Sequence, residues 1–92
     1  MPDDRSDLRE AADELDAARE EAADAEVADR LESLAERVRE MTETQRRPDH
    51  GQLDRLTHDI REVEAQLDGE AVAAAGSALA HARAYRETVE GV

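Results

Sequence analysis

Pro48 is the one interior proline of this 92-residue chain, and it separates two halves that both have helical patterns. Proline cannot continue a helix, and it disfavours helical geometry at the residue before it. Asp49, followed three residues later by Gln52, has the spacing of a capping box at a helix start. The sequence therefore predicts a central turn at residues 46–51.

Apolar residues recur at steps of three and four on both sides of this turn, which is typical of helices with one buried face. In the first half they are Leu8, Ala11, Leu15, Ala18 and Ala22, then Val27, Leu31, Leu34, Val38 and Met41. In the second half they are Leu53, Leu56, Ile60, Val63 and Leu67, then Val72, Ala75, Leu79, Ala82 and Val89.

These apolar residues form one stripe along each predicted helix, and the stripe is interrupted once in each half, at residues 24–26 and 68–70. Asp24 and Asp68 are suited to cap a new helix, and Gly69 lowers helix preference by about 1 kcal/mol relative to alanine. The pattern predicts helices over these ranges: 4–23, 25–46, 50–67 and 69–89. Gly91 is predicted to end the last one.

The halves match each other at an offset of 45 residues before the interruption and 44 after it. We therefore predict one all-α domain over residues 1–92, an antiparallel bundle of four helices formed by two pseudo-repeated helical hairpins. The alternative is a hairpin of two long helices that dimerises.

The apolar side chains are small, because the chain has 18 alanines, eight leucines and no phenylalanine or tryptophan. Such a thin core favours burying more surface in an oligomer. We expect a homo-oligomer, a dimer, or a complex with another protein. The alanines of the last helix form either a packing interface or simply part of the bundle interior. Tyr85 is expected to cover the edge of the core with its hydroxyl in water.

The net charge is −13, from 25 acidic residues and 12 basic ones, all of them arginine. Direct nucleic-acid binding needs a clustered basic face, and only Arg46 and Arg47 form an arginine pair without nearby carboxylates. The longest apolar run, residues 71–75, is far short of the ~20 residues that span a bilayer. The acidic N-terminus is unlike a signal peptide. We therefore predict a cytoplasmic protein that binds neither nucleic acid nor membrane.

His50, Asp54 and His58 are spaced four residues apart and could line one strip of a helix as metal ligands. The competing interpretation is a solvated polar face. No histidine follows a glutamate at the Glu-x-x-His spacing of di-iron bundles, and the chain has no cysteine. We therefore predict no catalytic, cofactor or metal site, and no enzyme.

The segments at residues 48–51 and 85–92 resemble stretches of a group of small, uncharacterised, acidic all-helical proteins of halophilic archaea. The absence of lysine and the acidic excess resemble the same proteins, because carboxylate repulsion is screened in molar salt. The resemblance implies a helical fold and a salty habitat, and no activity.

The function predicted from the sequence is a non-catalytic helical interaction or structural protein adapted to high salt. The first alternative is a regulator that binds a basic or nucleic-acid-binding partner protein. The second is a metal-dependent activity through His50, Asp54 and His58.

Overall fold

The computed structural model describes residues 4–89, and these form four helices that pack against each other as an all-α bundle. The helices are α1 (Ser6–Glu21), α2 (Ala25–Glu43), α3 (His50–Glu64) and α4 (Gly69–Thr88). The predicted four-helix fold is confirmed, and the alternative of two long helices is wrong. Gly91 lies outside the described residues.

Aspartate side chains start two of the helices as the sequence predicts. Asp24 accepts a hydrogen bond from the backbone N–H of Glu26 at 2.8 Å, and α2 begins at the next residue. Asp49 accepts from the N–H of Gln52 at 2.8 Å, while the Gln52 side chain accepts from the N–H of Asp49 at 3.0 Å. This reciprocal pair is a complete capping box, which satisfies two N–H groups that a helix start otherwise leaves unpaired.

The break before α4 has a different cause. Asp68 precedes the helix but makes no side-chain cap, whereas Gly69 has a φ of +58°. Glycine adopts this left-handed geometry without the Cβ clash that other residues meet. The turn between α3 and α4 therefore depends on Gly69.

Two helices end earlier than the sequence pattern indicates. α2 ends at Glu43 rather than at residue 46, and α3 ends at Glu64 rather than at residue 67. At the end of α2 the backbone of Thr44 is extended, and its carbonyl oxygen is bound by the Arg5 side chain. A contact from a distant residue thus contributes to the boundary.

Each helix packs against two neighbours in the ring α1–α2–α3–α4. The contact between α1 and α4 is the most extensive, and that between α2 and α3 is the smallest. Ala75, Ala78 and Ala82 of α4 are fully buried, so their small side chains let neighbouring backbones approach closely. The alanines of α4 that are buried therefore belong to the bundle interior rather than to an outer interface.

Tyr85 is fully buried, so the expectation that its hydroxyl meets bulk water is wrong. The guanidinium carbon of Arg47 lies 5.8 Å from the centre of its ring, close enough for a cation–π contact. Arg47 also donates to the backbone oxygen of Thr88 at 3.1 Å. The central connection thus folds over the end of α4 and covers the tyrosine.

Arg5 is the buried charged residue of the bundle, with 8% of its surface exposed. Its guanidinium donates to the carbonyl oxygens of Met41 and Thr44, both at 2.7 Å. These carbonyls belong to the end of α2, where the last carbonyl oxygens lack intrahelical N–H donors and carry partial negative charge. Arg5 therefore joins the start of α1 to the end of α2.

We expect Arg5→Met to lower the free energy of unfolding by about 2 kcal/mol, because hydrogen bonds from a charged donor contribute about 1.5–3 kcal/mol. Methionine keeps most of the apolar stem and removes both donors. Urea unfolding followed by circular dichroism measures the change. Arg9→Met, at an exposed position one turn further along α1, is the control. Equal stability of the two variants would contradict the capping role of Arg5.

Substituting two glycines of α4 by alanine should change stability in opposite directions. Gly69→Ala should destabilise by about 1 kcal/mol, because alanine is strained at positive φ. Gly76 lies inside α4, where alanine is favoured by about 1 kcal/mol. Its new Cβ would meet only the mobile end of the Glu64 side chain, at 3.2 Å. Thermal melting of both variants measures the two signs; a stabilising Gly69→Ala would contradict the proposed turn.

Candidate functional site

An open groove runs between α2 and α3, the two neighbouring helices that contact each other least. It consists of two depressions of about 360 and 430 Å³. The first is lined by Asp29, Arg30, Ser33, Leu34, Asp59, Glu62 and Val63. The second is lined by Arg37, Glu40, Met41, Thr44, Arg46, Arg47, Pro48, Gln52 and Arg55. We call the two together the α2–α3 groove.

The groove follows from the residues beside the apolar stripes. On α2 and its C-cap the groove is lined at positions 30, 33, 37, 40 and 44, which are three or four residues apart. On α3 it is lined with the same spacing at positions 52, 55, 59 and 62. All of these positions carry polar or charged side chains. Long hydrated side chains face each other there, so α2 and α3 lack the apolar contact that closes the other seams.

Within residues 4–89, one ion pair crosses the middle of the groove. Arg37 Nη2 of α2 lies 2.9 Å from Asp59 Oδ2 of α3, and each side chain is about one-third exposed, 37% and 32%. Exposed pairs of this kind contribute little to stability, at most about 1 kcal/mol. The pair marks the centre of the groove, where the two walls meet.

The two ends of the groove carry opposite charge. The end near the α1–α2 connection has three acidic residues and one arginine; we call Asp29, Asp59 and Glu62 the acidic end. The end at the central connection has four of the chain's twelve arginines and one glutamate; Arg46, Arg47 and Arg55 are the basic end. In a chain of net charge −13, this concentration of arginine is a departure from the rest of the surface.

Arg46 and Arg55 are exposed, and their guanidinium groups make no hydrogen bond or ion pair with any residue from 4 to 89. They differ in this from Arg37, Arg39 and Arg86, which each pair with an aspartate on another helix. Arg46 and Arg55 therefore present donors that the described part of the bundle does not use.

Apolar side chains form the floor of the groove. Leu34 and Val63 are 7% and 2% exposed, and Pro48 is buried. Met41 is partly exposed against the core. The groove thus combines a narrow apolar floor with charged rims, which is the anatomy of a protein-binding surface.

The three residues considered as metal ligands are not brought together by the structure. The Nε2 atom of His50 lies 2.7 Å from the backbone oxygen of Val89. Asp54 accepts a hydrogen bond from Arg86 of α4. The Nε2 atom of His58 lies 3.4 Å from Glu62, one turn along the same helix. Each side chain thus contacts a different partner, because α4 supplies partners for the first two.

His58, Asp59 and Glu62 do lie within 4.8 Å of one another. His58 and Glu62 are exposed and are spaced as an ordinary helix-surface pair, while Asp59 is already paired with Arg37. The arrangement is explained by these contacts alone.

Two further clusters tie the helices together on faces away from the groove. Arg39 of α2 donates to Asp13 at 3.1 Å and to Asp16 at 2.6 Å on α1. The hydrogen bond to Asp16 and the nearby negative charge raise the pKa of Arg39 above its ordinary value. His81 Nδ1 of α4 lies 3.0 Å from Asp7 of α1. These contacts account for the positions of the side chains involved.

The sequence pattern singles out Arg46 and Arg47 only as an arginine pair without nearby carboxylates. It does not indicate Arg37 and Arg55, which belong to the same surface. The position of these two arginines in the sequence could have indicated it. Each directly precedes an apolar residue of the buried face, Val38 on α2 and Leu56 on α3, the two helices joined by the central connection.

No helix within residues 4–89 is long and apolar enough to cross a membrane. The predicted cytoplasmic location stays a prediction.

No curated protein and no solved structure is similar enough to the chain to count as a match. A family model does match, over residues 3–88, and its description is a family of unknown function. The match spans the whole four-helix bundle and names no activity. The chain therefore belongs to the family of unknown function DUF7553.

Proposed function

We propose that this chain is a non-catalytic helical interaction module that binds another protein chain along the α2–α3 groove. The observation that carries the proposal is the incomplete closure of the bundle between α2 and α3, with Arg46 and Arg55 left available at one end. The other three seams of the ring are closed by more extensive contacts.

The shape of the groove suits a protein segment. The residues of α2 that line the groove run from Asp29 to Met41, which at 1.5 Å per residue is about 18 Å. A partner helix laid along it would cover Leu34, Met41 and Val63 at the floor, the mode in which amphipathic helices fill grooves. Small-molecule sites are instead concave and enclose most of the ligand surface.

The chemistry of the groove does not support covalent catalysis. Ser33 is its one hydroxyl near the acidic end, and its side chain makes no hydrogen bond to any histidine or carboxylate within residues 4–89. An activated serine needs a base within hydrogen-bond reach. The remaining polar groups are mostly arginines and carboxylates, with Thr44 and Gln52 beside them, and they are suited to recognition.

A uniformly basic partner, as in the regulator alternative, fits the groove poorly. Such a partner would place like charges against Arg46 and Arg55, and like-charge contacts across an interface cost several kcal/mol. A partner with both signs of charge is the better match.

We also propose that the module is adapted to high salt. No aspartate or glutamate within residues 4–89 is buried, so the acidic groups of this part of the strongly acidic chain lie on the surface. Their mutual repulsion weakens at high ionic strength, where the Debye length falls to about 3 Å in 1 M salt.

The interaction surface is tested by site-specific crosslinking, since the chain has no cysteine and a single introduced one can be labelled uniquely. Ser33→Cys places a photo-crosslinker in the groove, and Ser6→Cys places it at the exposed start of α1. We expect a protein adduct from Ser33→Cys and none from Ser6→Cys, with the crosslinked peptides identified by mass spectrometry. Absence of any protein adduct at Ser33 overturns the proposed function.

The salt adaptation predicts that helicity and melting temperature rise between dilute buffer and 1 M KCl, as the Debye length shortens to about 3 Å. Circular dichroism measures both quantities. Neutralising two exposed neighbours with Glu20→Gln and Glu21→Gln should raise the melting temperature in dilute buffer and reduce the salt effect. A melting temperature independent of KCl would contradict the adaptation.

A further inference from the structure

We infer that the α2–α3 groove binds a second copy of this chain in an antiparallel two-fold dimer, with the basic end of each copy against the acidic end of the other. The inference rests on the proposed function, because it requires the groove to be a protein interface. It adds the identity and the orientation of the partner.

The charges of the groove are arranged symmetrically about the central ion pair. On α3, Arg55 lies four residues before Asp59 and Glu62 lies three residues after it. On the other wall, Asp29 lies eight residues before Arg37, and Arg46, just beyond the end of α2, lies nine residues after it. Both walls thus have their charge midpoint at the Arg37–Asp59 pair, which is closed at 2.9 Å.

A two-fold axis at this midpoint gives a self-complementary interface. In a two-fold dimer residue i contacts residue j while j contacts i. An axis that crosses the helices at right angles near Arg37 and Asp59 reverses the groove end for end. It brings Arg55 towards the partner's Glu62, and Arg46 towards the partner's Asp29. At the axis Arg37 faces the partner's Arg37 and Asp59 faces the partner's Asp59, and these like charges are offset because each group stays paired within its own chain at 2.9 Å.

The opposite orientation is unfavourable. An axis parallel to the helices would place basic end against basic end, and juxtaposed like charges cost several kcal/mol across an interface. The charge pattern therefore selects the antiparallel dimer over the parallel one.

The apolar floor follows the same symmetry. Leu34 lies three residues before Arg37 and Met41 lies four residues after it. The proposed axis turns Leu34 of one copy towards the partner's Met41. Met41 is partly exposed in the single chain, so the dimer would remove apolar surface from water at the centre of the interface.

A foreign partner would need the same two-signed pattern at the same spacing. An acidic peptide would satisfy Arg46 and Arg55 but would place its own negative charge against Asp29 and Glu62. A second copy carries the matching pattern by construction. Charge complementarity therefore favours self-association.

Charge reversal tests the inference. Arg46→Glu with Arg55→Glu makes both ends of the groove acidic, and Asp29→Arg with Glu62→Arg makes both ends basic. We expect the unaltered chain to have twice the chain mass of 10.2 kDa by light scattering. Each double variant alone should fall to 10.2 kDa, and an equimolar mixture of the two should regain the dimer mass.

The matched control is Glu10→Arg with Glu20→Arg, which reverses two exposed charges on α1 and should leave the dimer intact. Circular dichroism confirms that every variant is helical, and the measurements use the lowest KCl concentration at which the chain is fully folded, because salt screens these pairs. A dimer that survives either groove reversal overturns the inference, as does a mixture that stays monomeric.

The outcome separates this inference from the proposed function. A monomeric chain whose Ser33→Cys adduct contains a different protein overturns the self-dimer and leaves the interaction module standing. A Ser33→Cys adduct between two copies supports both, and an absence of protein adducts overturns both.

Discussion

The close packing of α4 against α1 sets the shape of the bundle. Ala75, Ala78 and Ala82 have no bulk beyond Cβ, so α4 can lie close to its neighbours, and the α1–α4 contact is the most extensive in the ring. Four helices in a ring cannot all lie equally close to their neighbours when small residues line one helix–helix contact and long charged residues line another. The seam that stays open is the one between α2 and α3, and the candidate site is a consequence of this asymmetry.

Arginine has two separate uses in this acidic chain. Arg5 and Arg39 act inside the bundle: the first caps the end of α2, and the second joins α2 to α1 through Asp13 and Asp16. Arg46 and Arg55 have no such use among the described residues. A guanidinium group offers five donors in a fixed plane and pairs well with carboxylates, and these two groups beside an apolar floor support the proposed protein interface. The family match gives no activity against which to weigh this interpretation.

Local chemistry made much of the fold predictable. Asp24 and Asp49 form their capping hydrogen bonds with residues only two or three positions further along the chain. Sequence spacing was therefore enough to locate the starts of α2 and α3. The ends of α2 and α3 were placed about three residues too late. The capping of α2 by Arg5, whose acceptors lie 36 and 39 residues away, is invisible to a local pattern. Tyr85 was misjudged for the same reason, because Arg47 covers it from a distant part of the chain.

The sequence alone determined the central turn, the starts of α2, α3 and α4, and the buried faces of the first three helices. These properties depend on periodicity, capping and proline or glycine geometry, which act over one or two turns. Only the tertiary structure decided which seam stays open and which charges meet. The helical spacing of His50, Asp54 and His58 predicts that they lie close together, but each contacts a different partner. Arg37 and Asp59, in contrast, are 22 residues apart in the sequence and form an ion pair. Side-chain neighbours across a bundle depend on how closely each pair of helices packs, and no local spacing encodes that distance.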